Sequence, residues 1–489
     1  MSPAAKTGFV QSNAFRAGRD NRTQPQTFGQ LQQAAQPKAS GLMMFFSLLL
    51  IFNYFGRPFE IVLTGLRIPA VICSICILLV LVSGSIKLMG SKVGLGMSFL
   101  LTWMCISAPF SYWRSGSVEF VMGYLQFWII LMLLTAVTPK APNDIAKMCA
   151  VVSFSCIFHL LVSGSSDANG RLELKGTTFG NSDDVALLAG FAIPFTVLTA
   201  SWLKNSFLKY TVFIGGVCYL LLSTGRTATR AAIPALAVMI GIYFVRAKGA
   251  QKVLLVAFSI FGIIGAVAVL PKSTLERFAS LGNSFKLSDV ASQARSTVLS
   301  EADESLLERK QLVQDAIQMA LGNPVFGVGP GTFVDYRRNR MPNPDGSLKP
   351  YLPSHNTFLQ VAGESGIVGL LIYLYFLFSI YSATVRLRKL NLAKHHPDWK
   401  LIANLLLCME AALGYFVICA LFMTCDRHPQ QFVLAAMAIA LENILKEAEL
   451  AAARNAMPAS AEPPAAAPAK RPGGAFPRPL QPSYPAGRG

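Results

Sequence analysis

Charge is scarce in this chain, and acid is the scarcer half of it. Charged side chains make up 14% of the 489 residues, with 25 Asp and Glu against 43 Lys and Arg, where soluble domains carry roughly 25% charged residues. With 53% hydrophobic residues and a mean hydropathy of +0.46, the shortage excludes an ordinary water-soluble fold. A bilayer is the solvent that accepts so much apolar surface. Other things are missing too. No His, Asp and Glu cluster has metal-ligand spacing, so no metal and no cofactor is expected. The nine cysteines form no disulfide or zinc framework: Cys73, Cys76, Cys105, Cys149, Cys156, Cys218, Cys408 and Cys419 lie within apolar segments and Cys425 at a segment end. They read as small buried hydrophobes. The apolar run from Leu42 follows some forty polar, basic residues (Arg16, Arg19, Arg22, Lys38) and is not followed by a small-residue cleavage site. It is therefore expected to be a retained anchor and not a signal peptide.

The formal charge of +18 invites a nucleic-acid reading until the positions of the bases are considered. They concentrate in the two tails and in short loops between apolar runs, which is a topology signal and an attraction to anionic lipid, not a basic groove. No nucleic-acid partner is expected. The bilayer is.

Hydropathy places twelve apolar stretches, approximately 42–56, 67–84, 93–112, 117–138, 145–163, 184–201, 208–223, 231–246, 252–270, 359–383, 401–421 and 430–446. The expected fold is all-α, a polytopic membrane protein with about 12 transmembrane helices. With the N-terminus inside, every inner loop is basic: Lys87 and Lys92, Lys140 and Lys147, Lys204 and Lys209, Arg246 with Lys248 and Lys252, then Arg386, Arg388, Lys389 and Lys394. An even span count returns the C-terminus to the cytoplasm as well. Short outer loops hold isolated arginines instead: Arg57, Arg67, Arg114, Arg171, Arg226, Arg230 and Arg427. The expected organisation is a disordered cytoplasmic tail (1–41), nine spans (42–270), a large periplasmic loop (271–357), three spans (358–446) and a disordered Ala- and Pro-rich cytoplasmic tail (447–489). Within the large loop, Glu301 to Leu321 alternates charged and apolar residues (Leu306, Leu307, Val313, Ile317, Met319) at helical spacing. That predicts an amphipathic helix on the membrane face or over a cavity, ended by Gly322-Asn323-Pro324.

Chemistry concentrates on the outer side. Gly327-Val-Gly329-Pro-Gly331 is the densest glycine cluster outside the membrane. Such a stretch either cradles an anion with its amides or makes a tight turn, and it matches no Walker or dinucleotide pattern. His355 is one of only five histidines and stands where the large loop returns to the bilayer. An imidazole with an ordinary pKa near 6.5 suits a general base; a loop histidine can equally cap the helix that follows. Arg226 lies at the outer end of the seventh stretch, one turn before Arg230. A guanidinium near hydrocarbon costs about 2.5–3.5 kcal/mol on insertion scales, which an anionic headgroup would offset, unless the side chain snorkels to the surface. Arg309, Arg337 and Arg338 add positive charge on the same side, although a run such as Arg337 to Arg340 is also compatible with a solvated face. A polyanionic substrate and a proton transfer fit this set of residues.

These pieces resemble the O-antigen ligase and O-antigen polymerase superfamily of bacterial envelope glycosyltransferases. Gly170-Arg171 with Gly176-Thr-Thr-Phe-Gly-Asn181 is similar to that family's loop before a span, and Ser223-Thr-Gly-Arg226-Thr-Ala to its arginine motif. Arg309, then Asn323-Pro-Val-Phe-Gly-Val-Gly and Gly331-Thr-Phe, resemble its large-loop helix and turn. His355-Asn-Thr-Phe-Leu-Gln followed by Glu364-Ser-Gly resembles its return motif. Two positions depart: Ser182-Asp183 stands where the family has Pro-Asn, and Gly225 where it has serine. The resemblance implies a GT-C-like, metal-independent, inverting transfer of a glycan from an undecaprenyl-pyrophosphate carrier to an acceptor hydroxyl in the periplasm, by an inner-membrane enzyme. It implies His355 as base, Arg226 and Arg309 on the pyrophosphate, and a donor-binding set of Arg171, Arg230, Arg337, Arg338 and Asn181. Glu364 would hold the return helix or His355. Ligase and polymerase are not separated by the sequence. A flippase of lipid-linked sugars would also use outer arginines, but no paired Gly- or Pro-broken segments recur in matching halves of the chain. A purely structural scaffold leaves His355 and Arg226 unexplained.

Overall fold

The computed structural model describes residues 40–61, 68–167, 170–177, 180–272, 274–275, 301–343, 345–390 and 396–456, with 126–128, 301–307 and 451–456 described by their backbone alone. Arg67, Lys394, His395, most of both tails and the first part of the large loop lie outside these residues. The chain divides into two compact units, 1–446 and 447–489.

Every apolar stretch is helical, because a backbone surrounded by hydrocarbon must satisfy its own N–H and C=O groups. In chain order the helices are α1 (Gly41–Gly56), α2 (Ile68–Ser83), α3 (Lys92–Ser107), α4 (Arg114–Gly123) and α5 (Ile130–Val137), the last two joined by a π-helical segment, Tyr124–Ile129. Then come α6 (Pro142–Ser163) and α7 (Ser182–Trp202), linked by an antiparallel hairpin of β1 (Gly164–Ser166) and β2 (Leu172–Leu174) in the register Ser165 opposite Glu173. They are followed by α8 (Val217–Arg226), α9 (Ala232–Arg246), α10 (Ala250–Val269), α11 (Glu301–Gly322), α12 (Phe333–Arg340), α13 (Thr357–Lys389), α14 (Trp399–Ala420) and α15 (Pro429–Ala456). This is a polytopic helical membrane protein. Among the described residues, seven helical segments are long and apolar enough to cross a bilayer: Lys92–Phe110, Pro142–Ser163, Ser182–Trp202, Ser206–Arg226, Ala250–Val269, Thr357–Lys389 and Trp399–Ala420. Gly41–Gly56, Ile68–Ser83 and Ala232–Arg246 are apolar but shorter. The fourth stretch is interrupted by its π segment, and the twelfth is embedded in a helix of 28 residues. One boundary moves. Helix α15 continues to Ala456, into the expected disordered tail, because 447–456, apart from Asn455, is made of Glu, Ala, Leu and Arg, all strong helix formers.

Burial ranks the helices. In α7, 83% of the apolar window is buried within the protein, and in α10 none is. Helix α7 is thus the central post, packed by α6, α8 and α14, with Tyr415 of α14 donating to the Ala186 carbonyl at 2.7 Å. Helix α10 presents Val253, Leu254, Phe261, Ile263 and Ile264 outward, an apolar face suited to lipid.

The described part of the large loop packs on protein. Helix α11 buries Leu312, Ala316, Met319 and Ala320, a stripe at i, i+4, i+7 and i+8, against α13 and a small cluster with Val328 and Phe333. The expected helix is present; of its alternating apolar residues Met319 is buried and Ile317 is exposed, and Leu312 and Ala316 complete the inner face. The glycine turn that follows is stitched into the start of α13. Val328 N–H donates to Gly363 O at 2.8 Å, Gly329 N–H to Glu364 O at 2.9 Å, and Ile367 N–H to Pro324 O at 2.8 Å. Those bonds replace helical ones, and α13 breaks at Gly366, whose φ of 73° and ψ of 177° lie outside helical space. Residues 357–365 are therefore a short return segment ahead of the long span.

Gly327 combines a left-handed backbone (φ 70°) with a Cβ position that collides with the Glu364 backbone, whereas Gly346 (φ 80°) faces open space. Gly346→Ala should cost about 1 kcal/mol for its left-handed backbone alone. Gly327→Ala should cost about 3 kcal/mol or more, since backbone must also move. Thermal unfolding midpoints of the two purified variants in detergent check the order; equal midpoints would remove the stitched turn from this account.

Candidate functional site

Helix α7 begins where the hairpin ends. Asn181 caps it, accepting from Asp184 N–H at 2.8 Å, and Asp183 and Asp184 fill its first turn, where the helix dipole favours acid. Asp183 is the point on which the site converges. Its Oδ1 accepts from the Thr229 hydroxyl at 3.0 Å. Its Oδ2 lies 3.3 Å from Nη2 of Arg309, on α11, and 3.8 Å from Nδ1 of His355. Three segments far apart in sequence thus meet on one carboxylate.

The neighbouring arginines ring the same helix start. Arg171 donates through Nη1 to the Ser182 hydroxyl at 3.3 Å and pairs with Asp167 at 3.8 Å. Arg226 is exposed and reaches Ser166 on β1, Nη2 to Oγ 3.5 Å. Arg230 follows Thr229 directly and is half-buried. His355, Arg309, Arg226, Arg171 and Asn181 are therefore all placed at the hairpin and first turn of α7.

His355 is held in a conformation that non-glycine residues seldom adopt, φ 51°. Its flanks fix it: the Ser354 hydroxyl donates to Asn356 O at 2.7 Å, and Asn356 Nδ2 donates to Leu421 O at 2.9 Å. The cap of α13 is Asn356, whose Oδ1 accepts from Leu359 N–H at 3.0 Å, so His355 is free of that role. Burial pushes its imidazole below the ordinary value. The Arg309 guanidinium pushes the same way, and the Asp183 and Glu308 carboxylates pull it part of the way back. The neutral, proton-accepting form is the one favoured.

Two expected site residues are placed elsewhere. Arg337 is only 1% exposed, its Nε 2.8 Å from Asp315 and its Nη1 donating to Pro350 O at 3.0 Å, with Lys349 on the same carboxylate at 2.8 Å. It is a cation enclosed in the loop's own fold and presents nothing to a ligand, which corrects its assignment to donor binding. Glu364 is likewise enclosed. It accepts from the amides of Gly331 at 2.8 Å and Phe333 at 3.3 Å, and from Gln360 Nε2 at 3.1 Å. Of its two expected roles, it holds the return segment to the glycine turn, and it is not a substrate ligand. The same bonds make the glycine cluster a tight turn, with the Gly331 amide on an internal carboxylate and the Gly327 and Gly329 amides on backbone carbonyls. Arg338 is half-buried on α12, and among the described residues no hydrogen bond or ion pair joins it to Asp183.

Asp183 itself was not among the expected site residues. Its signal was present as one of the two departures from the family pattern, an acid where the resemblance has asparagine. A second histidine is missed in the same way. His428, in the loop before α15, lies 3.5 Å from Asp184 through Nε2. Burial first, then Arg57 and Arg427, push it down to about 3, so it is neutral. Beside it, Arg427 lies over the Phe120 ring at 4.0 Å. Among the described residues, no group of three His, Cys, Asp or Glu is arranged to hold a metal ion.

Residues 211–374 match the family model described as O-antigen ligase. That stretch is similar to the O-antigen ligase family. It contains Arg226, Thr229, Arg309 and His355, and the last three meet on Asp183, which lies outside the matched range. No curated protein matches the chain. The arrangement places arginines around a neutral imidazole that lies 3.8 Å from a carboxylate.

The different settings of the adjacent arginines 337 and 338 are testable on stability. Arg337→Ala should destabilise the protein by about 3 kcal/mol, because it strips a buried partner from Asp315. Arg338→Ala should stay within about 0.5 kcal/mol of the parent. Unfolding midpoints in detergent decide it, and a silent Arg337→Ala would return that residue to the surface.

Proposed function

We propose that this protein is a membrane glycosyltransferase that moves a glycan from an undecaprenyl-pyrophosphate carrier to an acceptor hydroxyl at the periplasmic face, by a metal-independent, inverting displacement. The reading is carried by one observation: Arg309 and His355 share Asp183, with Arg226 and Arg171 at the adjoining hairpin. The family match supports the class, and the basic inner loops support the orientation.

Arg226 and Arg309 bind the diphosphate, with Arg171, Arg230 and Arg338 contributing to donor binding and Asn181 fixing the helix start beneath it. His355 takes the proton of the acceptor hydroxyl as the acceptor oxygen forms its bond to the anomeric carbon, on the face opposite the carrier. The bond from that carbon to the diphosphate oxygen breaks, and the electron pair leaves on the diphosphate. Charge accumulates there as the bond breaks, so cations already in place stabilise the transition state more than the ground state. Guanidinium groups suit this role because their paired donors match phosphate oxygens.

His355→Ala, in full-length protein reconstituted with a carrier-linked oligosaccharide and assayed with and without chelator, should lower transfer by roughly 10²–10⁴-fold while carrier binding persists. Because burial and Arg309 disfavour the imidazolium, the parent should retain activity below the ordinary imidazole range, with its acid limb in kcat/KM under pH ~6.5. Full transfer by the alanine variant removes the base assignment, and carrier translocation that survives it would favour a flippase. Arg226→Ala should raise donor KM and lower transfer together, by about tenfold or more. Arg226→Lys should recover only part, having charge without the planar fork; a lysine variant equal to the parent would count against diphosphate recognition.

A further inference from the structure

We infer that Asp183 is a positioning residue that couples occupation of Arg309 by the donor to the basicity of His355. The inference rests on the transferase reading above and concerns an acid that the family resemblance does not supply.

The two oxygens of Asp183 are used unequally. Oδ1 is taken by the Thr229 hydroxyl at 3.0 Å. Oδ2 is shared by Arg309 at 3.3 Å and His355 at 3.8 Å. Charge-assisted N–H···O bonds ordinarily close to about 2.7–2.9 Å, so neither partner has a full bond while both compete for one oxygen. Arg309 is the partner with somewhere else to go: its side chain is 37% exposed, against 26% for His355. A diphosphate carries more negative charge than a carboxylate and more oxygens in bidentate geometry. It draws the guanidinium away from Asp183, and Oδ2 is left to Nδ1 of His355.

Two electrostatic effects then act in the same direction. The charged groups that face His355 are Arg309 and Glu308 from α11 and Asp183 from α7. Arg309 opposes protonation of the imidazole, and that opposition falls once the diphosphate neutralises it. Asp183 favours protonation, and its effect grows as the distance closes. His355 therefore becomes a stronger base when the donor is bound and stays a weaker one when it is not. With Nδ1–H donating to Asp183, Nε2 is the nitrogen that accepts the acceptor hydroxyl's proton. Asp183 balances the imidazolium without taking a proton itself, the division of labour seen wherever a carboxylate orients a catalytic histidine. A purely structural acid at the start of α7 does not need these contacts, because Asn181 already caps the helix and Asp184 already meets its dipole.

Asp183→Asn preserves shape and the bond from Thr229 while removing the charge. In vesicles containing the full-length protein and a synthetic polyprenyl-diphosphate oligosaccharide, this variant should lose roughly tenfold to a hundredfold in kcat, with a donor KM no higher than the parent's. The acid limb of its kcat profile should move to lower pH, since the carboxylate that raised the pKa of His355 is gone. Asp183→Glu should recover part of kcat. An unchanged kcat and acid limb, or a raised KM with kcat intact, would overturn the inference. A second measurement does not need turnover. In isotope-labelled protein in detergent, with the His355 resonance assigned through His355→Gln, inorganic pyrophosphate should raise the His355 pKa in the parent and not in Asp183→Asn. No rise in the parent sinks the coupling. A rise without any glycan transfer sinks the transferase reading and leaves the coupling standing.

Discussion

The carboxylate of Asp183 sits at the start of a deeply enclosed helix, and the arrangement of the side chains around it depends on what it collects. Helix α7 is fixed on nearly all sides by apolar packing, so its first turn is a rigid platform. Thr229, Arg309 and His355 come from three separate segments and have no local reason to be near one another. A carboxyl group at the edge of a low-dielectric interior needs such donors. The donors, two of which can be cationic, equally need the acid. Mutual compensation gathers them on one carboxylate.

A second carboxylate does comparable work for the backbone. Glu364 accepts from Gly331, Phe333 and Gln360, and the glycine turn in exchange occupies the amides and carbonyls that a continuous helix would have used. The break at Gly366 follows from this exchange. Without it, the chain would run straight from the loop into the span, and His355 would not be presented on a short segment beside α11. The left-handed φ of His355 is local strain of the kind found where surrounding bonds over-determine a residue. The bonds made by Ser354 and Asn356 are what sustain it.

The two arginines expected to act together, 337 and 338, illustrate how little neighbouring positions share on a short helix. Successive residues point about 100° apart, so one guanidinium turns inward to Asp315 and Lys349 while the next stays near the surface. Enclosing two cations around one acid leaves the loop with a charged centre and a fixed shape. The loop helix meets α13 through Leu312, Ala316 and Met319 and so carries Arg309 to the site as part of a packed unit.

Much was legible in the sequence because solvent alone dictates it. Apolar runs of membrane length must be helical, basic residues mark their connections, and glycine with proline ends the loop helix at Gly322-Asn323-Pro324. The chemistry-bearing types were legible as well, since His355, Arg226 and Arg309 are costly or rare where they stand. What the sequence did not decide was partnership. Whether Arg337 or Arg338 faces outward, whether Glu364 serves a ligand or a turn, and whether Asp183 matters at all depend on contacts between residues as many as 172 positions apart, such as Asp183 and His355. Patterns along a chain report which solvent each segment prefers. Only the folded packing determines which charge meets which, because electrostatic pairing is set by distances of a few ångströms between segments that local periodicity leaves unrelated.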